Sequence, residues 1–167
     1  MLTTDRLIIC QLTLEDAPFI LELLNTPGWL QFIGDRGIRS LDDANAYIQN
    51  NALKNYEELG YGPYLIFHKA DNQPIGMSGL FKRETLEYPD VGFALMPDYM
   101  ANGYGYEAAS AVIEYANKTL RLPRVYGITN PNNHLSIRLL KKLGMSLEGS
   151  FAFGPEKQET LLFRYDM

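Results

Sequence analysis

The stretch Asp90-Val-Gly-Phe-Ala-Leu-Met-Pro-Asp-Tyr-Met-Ala-Asn-Gly-Tyr-Gly-Tyr-Glu-Ala-Ala109 reads as a strand, a glycine-bearing turn and a helix start. Such a turn leaves several backbone N–H groups unpaired and aimed in one direction, with the helix dipole behind them. That is an anion site, so the turn predicts retention of a phosphate-bearing cofactor. Gly103 to Ala108 formally matches the dinucleotide fingerprint, with alanine in the third small position. Three features oppose a nicotinamide or flavin site. The preceding strand follows a meander rather than a parallel unit. The turn from Met96 is long. The region about 20 residues on, Ile128-Thr-Asn-Pro-Asn132, carries no acid to hold a ribose. No lysine follows the glycines, so the phosphate loop of the NTPases is absent.

A second segment, Tyr126 to Gly149, delivers Asn130, Asn133 and Ser136 from a strand end into a helix N-terminus. If its strand lies beside the strand at Asp90 to Met96, the two helix starts face one cleft. His68 and His134 are the only histidines and stand far apart with no acidic cluster around them, so no metal site is predicted. No serine–histidine pair suggests a hydrolase. Cys10 sits in an apolar run and reads as a core residue rather than a nucleophile.

The elements that must position these residues follow from periodicity and caps. Arg6 to Leu12 is an apolar, β-branched strand. Thr13 opens a helix with Asp16 in its first turn, running to about Asn25. Gly28 to Gly37 reads as irregular. Ser40 opens a longer helix with Leu41, Ala44, Ile48, Ala52 and Leu59 on one face, and Gly60 stops it. Strands at Tyr64 to His68, Ile75 to Phe81 and Asp90 to Met96 are joined too closely for crossovers, which predicts an antiparallel meander. A helix from about Tyr104 to Thr119 follows, then a strand at Arg124 to Thr129. The next helix begins near Asn132 with Leu135, Leu139, Leu140 and Leu143 on its face. Strands at Ser146 to Ala152 and Thr160 to Tyr165 close a hairpin around Gly154-Pro155. The order is β-α-α-β-β-β-α-β-α-β-β: an α+β fold, with a mixed, mostly antiparallel, seven-stranded sheet and four main helices in a single domain over residues 1–167.

Composition bounds the function. The 167 residues suit one core, and 46% apolar with 21% charged content is that of an ordinary soluble protein. The net charge of −5, with no basic block, disfavours nucleic acid. No apolar run approaches the roughly 20 residues that span a bilayer. The polar start lacks the features of a secretion signal, and one cysteine suits a reducing compartment, so a cytoplasmic protein with no membrane partner is expected.

Taken together, the two segments resemble the acyl-CoA-binding core of the GNAT superfamily. The nearer match is its RimJ/RimL branch, which acetylates protein N-terminal amines and some small amines. That branch opens with Thr-x-Arg-Leu-x-Ile/Leu, here Thr4-Asp-Arg-Leu-Ile-Ile9. It continues with a Gly-Tyr-x-x-Glu-Ala block, here Gly103 to Ala108. It ends with Asn-x-x-Ser and Leu-Gly-Phe-x-x-Glu-Gly, here Asn133 to Ser136 and Leu143 to Gly149. Met100 stands where the family often has Gln or Arg and this branch often Trp, and Ala101 where this branch often has glycine.

The resemblance implies acetyl-CoA as co-substrate, without a metal. It lies between two splayed strands, with its pyrophosphate on the amides of Ala101, Asn102, Gly103, Tyr104, Gly105 and Tyr106. Its pantetheine arm runs along Phe93, Ala94 and Leu95 as an added strand edge. A β-bulge, usual in the family, would aim the Leu95 N–H at the thioester carbonyl. Asn130 is expected to bind the cofactor, and Asn133 to hydrogen-bond the arm, though Asn133 equally suits a helix cap. Ser136 is the implied proton donor to the thiolate. Glu84, Glu87 and Asp90 are candidate bases for the amine. Arg138, Lys141 and Lys142 form a basic stripe suited to coenzyme phosphates or to solvent. Trp29, Phe32 and Ile33 lie where the family lines its acceptor pocket, and core packing suits them equally. The acceptor is a peptide N-terminus or a small amine, and a homodimer is compatible with the sequence. The reading from a different functional class is a non-catalytic acyl-CoA-binding module or sensor of the same fold.

Overall fold

The computed structural model describes residues 1–167. Strands β1 (Leu2–Thr3) and β2 (Leu7–Gln11) lead through a 3-10 turn to helix α1 (Ala17–Leu23) and a short helix α2 (Pro27–Phe32). Helices α3 (Leu41–Tyr47) and α4 (Lys54–Leu59) are joined without a break by a π stretch, Ile48–Leu53. Strands β3 (Pro63–His68), β4 (Gln73–Phe81) and β5 (Asp90–Leu95) follow. Then come α5 (Tyr104–Lys118), β6 (Arg124–Thr129), α6 (His134–Lys142), β7 (Ser146–Phe153) and β8 (Gln158–Asp166).

The caps behave as their residue types dictate. The Thr13 amide and hydroxyl both donate to Asp16 Oδ2, at 2.7 and 3.0 Å, and set the turn before α1. Ser40 and Asp43 satisfy each other's amides at the start of α3. Gly60, at φ 76°, takes the left-handed conformation that ends α4.

The sheet has eight strands in the order β1-β2-β3-β4-β5-β6-β8-β7, all neighbours antiparallel except β5 and β6. This corrects the expected seven strands and four main helices. β1 pairs only Leu2 and Thr3 with β2, too short a run to show a period. The fifth helix is α2, where Pro27-Gly28 reads as a break. Proline at the first helical position lacks only an amide that is unpaired there anyway, and the turn forms behind it with Trp29 buried.

Helices cover both faces. On one, Ala108, Ala109, Val112 and Ala116 of α5 and Leu140 of α6 pack on Ile66, Leu80, Val91 and Val125. On the other, Ile20, Leu23, Ala44 and Ile48 pack on Leu65 and Met77. Central β4 is buried from Ile75 to Leu80, so it shows no inside–outside alternation. Three residues of the expected apolar faces fall outside: Leu135 of α6 is 67% exposed, because it lies on the first turn before the helix reaches the sheet, and Leu41 and Leu59, at the two ends of the α3–α4 helix, are 50% and 37% exposed. Cys10 is partly buried, and its surroundings push the thiol above its ordinary range, which leaves it a poor nucleophile.

Candidate active site

β5 and β6 touch at one register position, Asp90 opposite Tyr126, where the Tyr126 amide donates to the Pro89 carbonyl at 2.9 Å. Beyond it the parallel strands part, opening a wedge toward their C-terminal ends. The other side of β5 pairs with β4 in an unbroken ladder from Phe81–Asp90 to Gly76–Leu95, extended by a 2.8 Å bond from the Met96 amide to the Ile75 carbonyl. That bond fixes the phase of the ladder. Residues 90, 92, 94 and 96 turn their backbone groups to β4, and 93 and 95 turn theirs into the wedge. Phe93 and Leu95 therefore present a free strand edge, while the polar groups of Ala94 are spent on Met77. The bulge expected in β5 is absent. The Leu95 N–H faces the wedge through simple alternation, and the register shifts of the sheet sit instead between β3 and β4, at Ile66/Phe67, and between β7 and β8, at Leu147/Gly149.

Met96 leads through a 3-10 turn, Pro97–Tyr99, into Met100 to Gly103 and the start of α5. Two residues here are left-handed: Ala101 at φ 61° and Gly103 at φ 83°. The first explains why glycine suits that position, since an L-residue pays roughly 1–2 kcal/mol there. Gly105 is buried where three elements meet. A side chain on it would stand 3.1 Å from Leu139 of α6 and 3.7 Å from Leu95 of β5. Its lack of one brings both helix starts to the mouth of the wedge.

The turn is tied from behind by residues at the far end of the sequence. Glu107 in the first turn of α5 accepts from the Thr4 hydroxyl at 2.6 Å, the Arg6 amide at 2.8 Å and Arg6 Nε at 2.7 Å. Arg6 also donates to the Asn102 carbonyl at 3.0 Å and lies over the Tyr104 ring at 4.4 Å. Burial raises the Glu107 carboxyl, but these donors outweigh it and hold it below its ordinary range. Tyr104 is pinned further by His68 Nε2 at 3.0 Å, whose Nδ1 contacts Asp71 at 2.9 Å. Neither tie was anticipated. Thr4, Arg6 and Glu107 were visible as motif residues, but nothing in the spacing pairs residues 101 positions apart.

Across the wedge, Asn133 caps α6 by accepting from the Ser136 amide at 3.1 Å. The Ser136 hydroxyl is half-buried and makes no bond to the protein. Asn130 turns its side chain onto the Asn132 amide at 2.8 Å and its carbonyl onto the Asn133 amide. Of the carboxylates, Glu84 and Glu87 are exposed, whereas Asp90 is 2% exposed at the apex of the wedge. Burial raises its carboxyl, and Arg83, donating from Nε at 2.7 Å, opposes the shift. Trp29 lies in the core with its indole N–H unpaired. Phe32 is half-buried and Ile33 exposed at the end of α2. Lys142 lies 4.4 Å from the Tyr106 ring, joining α6 to α5 near the turn. No group of three His, Cys, Asp or Glu side chains gathers as metal ligands would, and no helix is long and apolar enough to cross a membrane.

Residues 6–146 match the acetyltransferase (GNAT) domain model. The uncharacterized N-acetyltransferase YnaD of Bacillus subtilis is 29% identical over 150 residues, spanning 90% of this chain and 85% of its own length. The acetyltransferase of Agrobacterium tumefaciens superposes with a TM-score of 0.82 at 25% identity, covering 99% of this chain and 94% of its own. RimL, a ribosomal L7/L12 alpha-N-protein acetyltransferase solved with coenzyme A, superposes with a TM-score of 0.84 at 17% identity over 98% and 96%.

Proposed function

This chain belongs to the GNAT acetyltransferase family, and from that premise we propose that it moves an acetyl group from acetyl-CoA to a primary amine by direct attack, with no covalent enzyme intermediate. The observation that carries the reading is the free edge of β5 beneath an anion-binding helix start. An unpaired strand edge fits a ligand with two in-line amides, and the left-handed turn with its row of helix-start amides fits a pyrophosphate. Acetyl-CoA, when bound, supplies an acetyl thioester, already activated toward nitrogen.

The chain's own groups would then divide the work. The amides from Ala101 to Tyr106, together with the α5 dipole, offset the phosphate charge. Phe93 and Leu95 hold the arm through backbone bonds, and the Leu95 N–H is aimed at the thioester carbonyl, a kind of contact typically worth ~3 kcal/mol in the transition state. Asn133 has its carbonyl oxygen committed to the cap, which leaves its amide nitrogen for the arm. Ser136, with its hydroxyl unspent, donates a proton to the departing thiolate. Asp90 is the favoured base, because it alone of the three carboxylates stands at the wedge, and a carboxyl raised by burial accepts a proton more readily. Phe32 and Ile33 border the acceptor. The acceptor is a peptide N-terminus or a small amine, and the protein works in the cytoplasm.

Calorimetric titration with acetyl-CoA, with NADH and NADPH beside it, tests the reading on wild type and Gly103→Trp. Micromolar acetyl-CoA binding that is lost in the variant supports the turn as the pyrophosphate site. Absence of binding in wild type overturns the reading. Binding without thiol release from a panel of amines points to the non-catalytic module instead.

A further inference from the structure

The face of the sheet opposite α5 and α6 carries an organised cation. Val91 and Val125 point into the core beneath α5 and α6, so Asp90 and Tyr126, next to them in sequence, point to the other face. Phe81, opposite Asp90 in the ladder, shares that face. Its ring lies across Gly92: a Cβ on Gly92 would stand 2.7 Å from Phe81 Cε2. On top of this ring, 5.3 Å from its centroid, sits the Arg83 guanidinium. Phe153, at the tip of the β7–β8 hairpin, reaches it from the far side of the wedge at 5.5 Å. Asp90 holds Nε, and the two terminal nitrogens make no hydrogen bond to the protein. The side chain is only 26% exposed.

A guanidinium that is three-quarters buried, fixed by a carboxylate and two rings, and left with its fork of terminal donors unspent, has the form of a receptor for a planar anion. The Tyr47 hydroxyl feels the charges of both Arg83 and Arg36. Burial raises that hydroxyl, and the two guanidinium charges pull it back. The exposed Glu84 and Glu87 share the loop with Arg83, and Lys82 is turned onto the carbonyls of Leu86 and Glu87, at 3.4 and 3.3 Å.

We propose that Arg83 binds a carboxylate of the acceptor, so that the preferred amine carries an acidic group a few bonds from its nitrogen. The inference rests on the acetyl-CoA reading of the wedge. With coenzyme held from the α5 side, the nitrogen arrives from the opposite face, where Arg83 stands above Gly92, next to the free edge at Phe93. The loop is mixed in charge, with Lys82 and Arg83 against Glu84, Glu87 and Asp90, so the anion preference comes from the unspent Arg83 donors and not from a positive field.

Non-reactive conjugates separate the two claims. Coenzyme A is joined through a thioether acetamide to glycine and to 4-aminobutyrate, to the carboxamide of each, and to 1,4-diaminobutane. Their Kd values are measured by calorimetry on the full chain, beside coenzyme A itself. A carboxylate conjugate should bind about tenfold or more tighter than its carboxamide. Arg83→Gln should bring that ratio toward one, and Arg83→Lys should retain part of it. Should Arg83→Gln fail to fold around the orphaned Asp90, the Arg83→Gln/Asp90→Asn double variant removes both charges and carries the same expectation. Equal binding of acid and amide by wild type, or tightest binding of the diamine, overturns the inference while leaving the acetyl-CoA reading intact. Failure of coenzyme A itself to bind overturns both.

Discussion

Removing the Glu107 carboxylate should loosen the phosphate turn by an amount that follows from its bonds. The side chain is 16% exposed and accepts three hydrogen bonds between 2.6 and 2.8 Å. The bonds from the Thr4 hydroxyl and the Arg6 amide to an ionised acceptor are worth about 1.5 kcal/mol each, taken at the low end. The Arg6 side chain is 45% exposed, so its ion pair is screened and adds at most about 1 kcal/mol. Glu107→Ala should therefore cost about 3–4 kcal/mol, or roughly 6–15 °C in Tm for a domain of this size. Glu107→Gln, which keeps an acceptor oxygen, should cost about half as much. The loss has a pH signature. Because the folded carboxyl lies below the 4.5 of a free glutamate, its contribution is fully present above about 4.5 and disappears as pH falls through the folded value. The assay is a set of thermal melts of wild type and both variants from pH 3 to 8. The gap between wild type and alanine should be constant at neutral pH and close on acidification. The coenzyme Kd at neutral pH should rise in the same order as the melts fall. A Glu107→Ala melt within about a degree of wild type, or a gap that persists unchanged to pH 3, refutes the reasoning.

Four further substitutions test three separate parts of the site. Ala101→Gly relieves a left-handed alanine but frees the unfolded chain, so melts should show a gain of up to about 1 kcal/mol, whereas Gly103→Ala should lose about that much; equal signs would contradict the assigned conformations. Gly92→Ala must displace the Phe81 ring, which a new Cβ would approach to 2.7 Å, so the acceptor KM should rise with the coenzyme Kd nearly unchanged; a shift confined to coenzyme would misplace the acceptor face. Ser136→Ala should lower kcat about 100-fold with little change in coenzyme affinity, and steady-state rates near wild type would remove Ser136 from proton transfer.

Local patterns carried much of this fold. β6 runs from Arg124 to Thr129 as read from its β-branched run, and α5 begins at Tyr104 because Gly103 supplies the left-handed residue before it. Both depend on neighbours within one turn or one strand. The readings that differ depend on long-range partners. Leu135 fits the helical stripe of α6 but lies before the point where the helix meets the sheet. Of Phe93, Ala94 and Leu95, only two face the wedge, and that division is set by the phase of a ladder with β4. The site followed the same rule. The glycine turn and the Asn133 cap were legible in sequence, whereas the Thr4–Arg6–Glu107 tie and the Phe81–Arg83–Phe153 stack join segments dozens of residues apart.

The single Asp90–Tyr126 contact has a mechanical meaning. In hydrogen-bonding terms the sheet is a five-stranded ribbon and a three-stranded ribbon joined at one seam, with the rest of their contact supplied by helix packing. A ligand lying against Phe93 and Leu95 would act as a missing strand along the open length of that seam and stiffen the two ribbons against each other. Such coupling stores binding energy as resistance to unfolding, about 2.7 kcal/mol when free ligand is at a hundred times its Kd. Amide exchange is the natural gauge: the Phe93 and Leu95 protons should exchange faster than the Ala94 proton in the free protein, and slow selectively once the seam is filled.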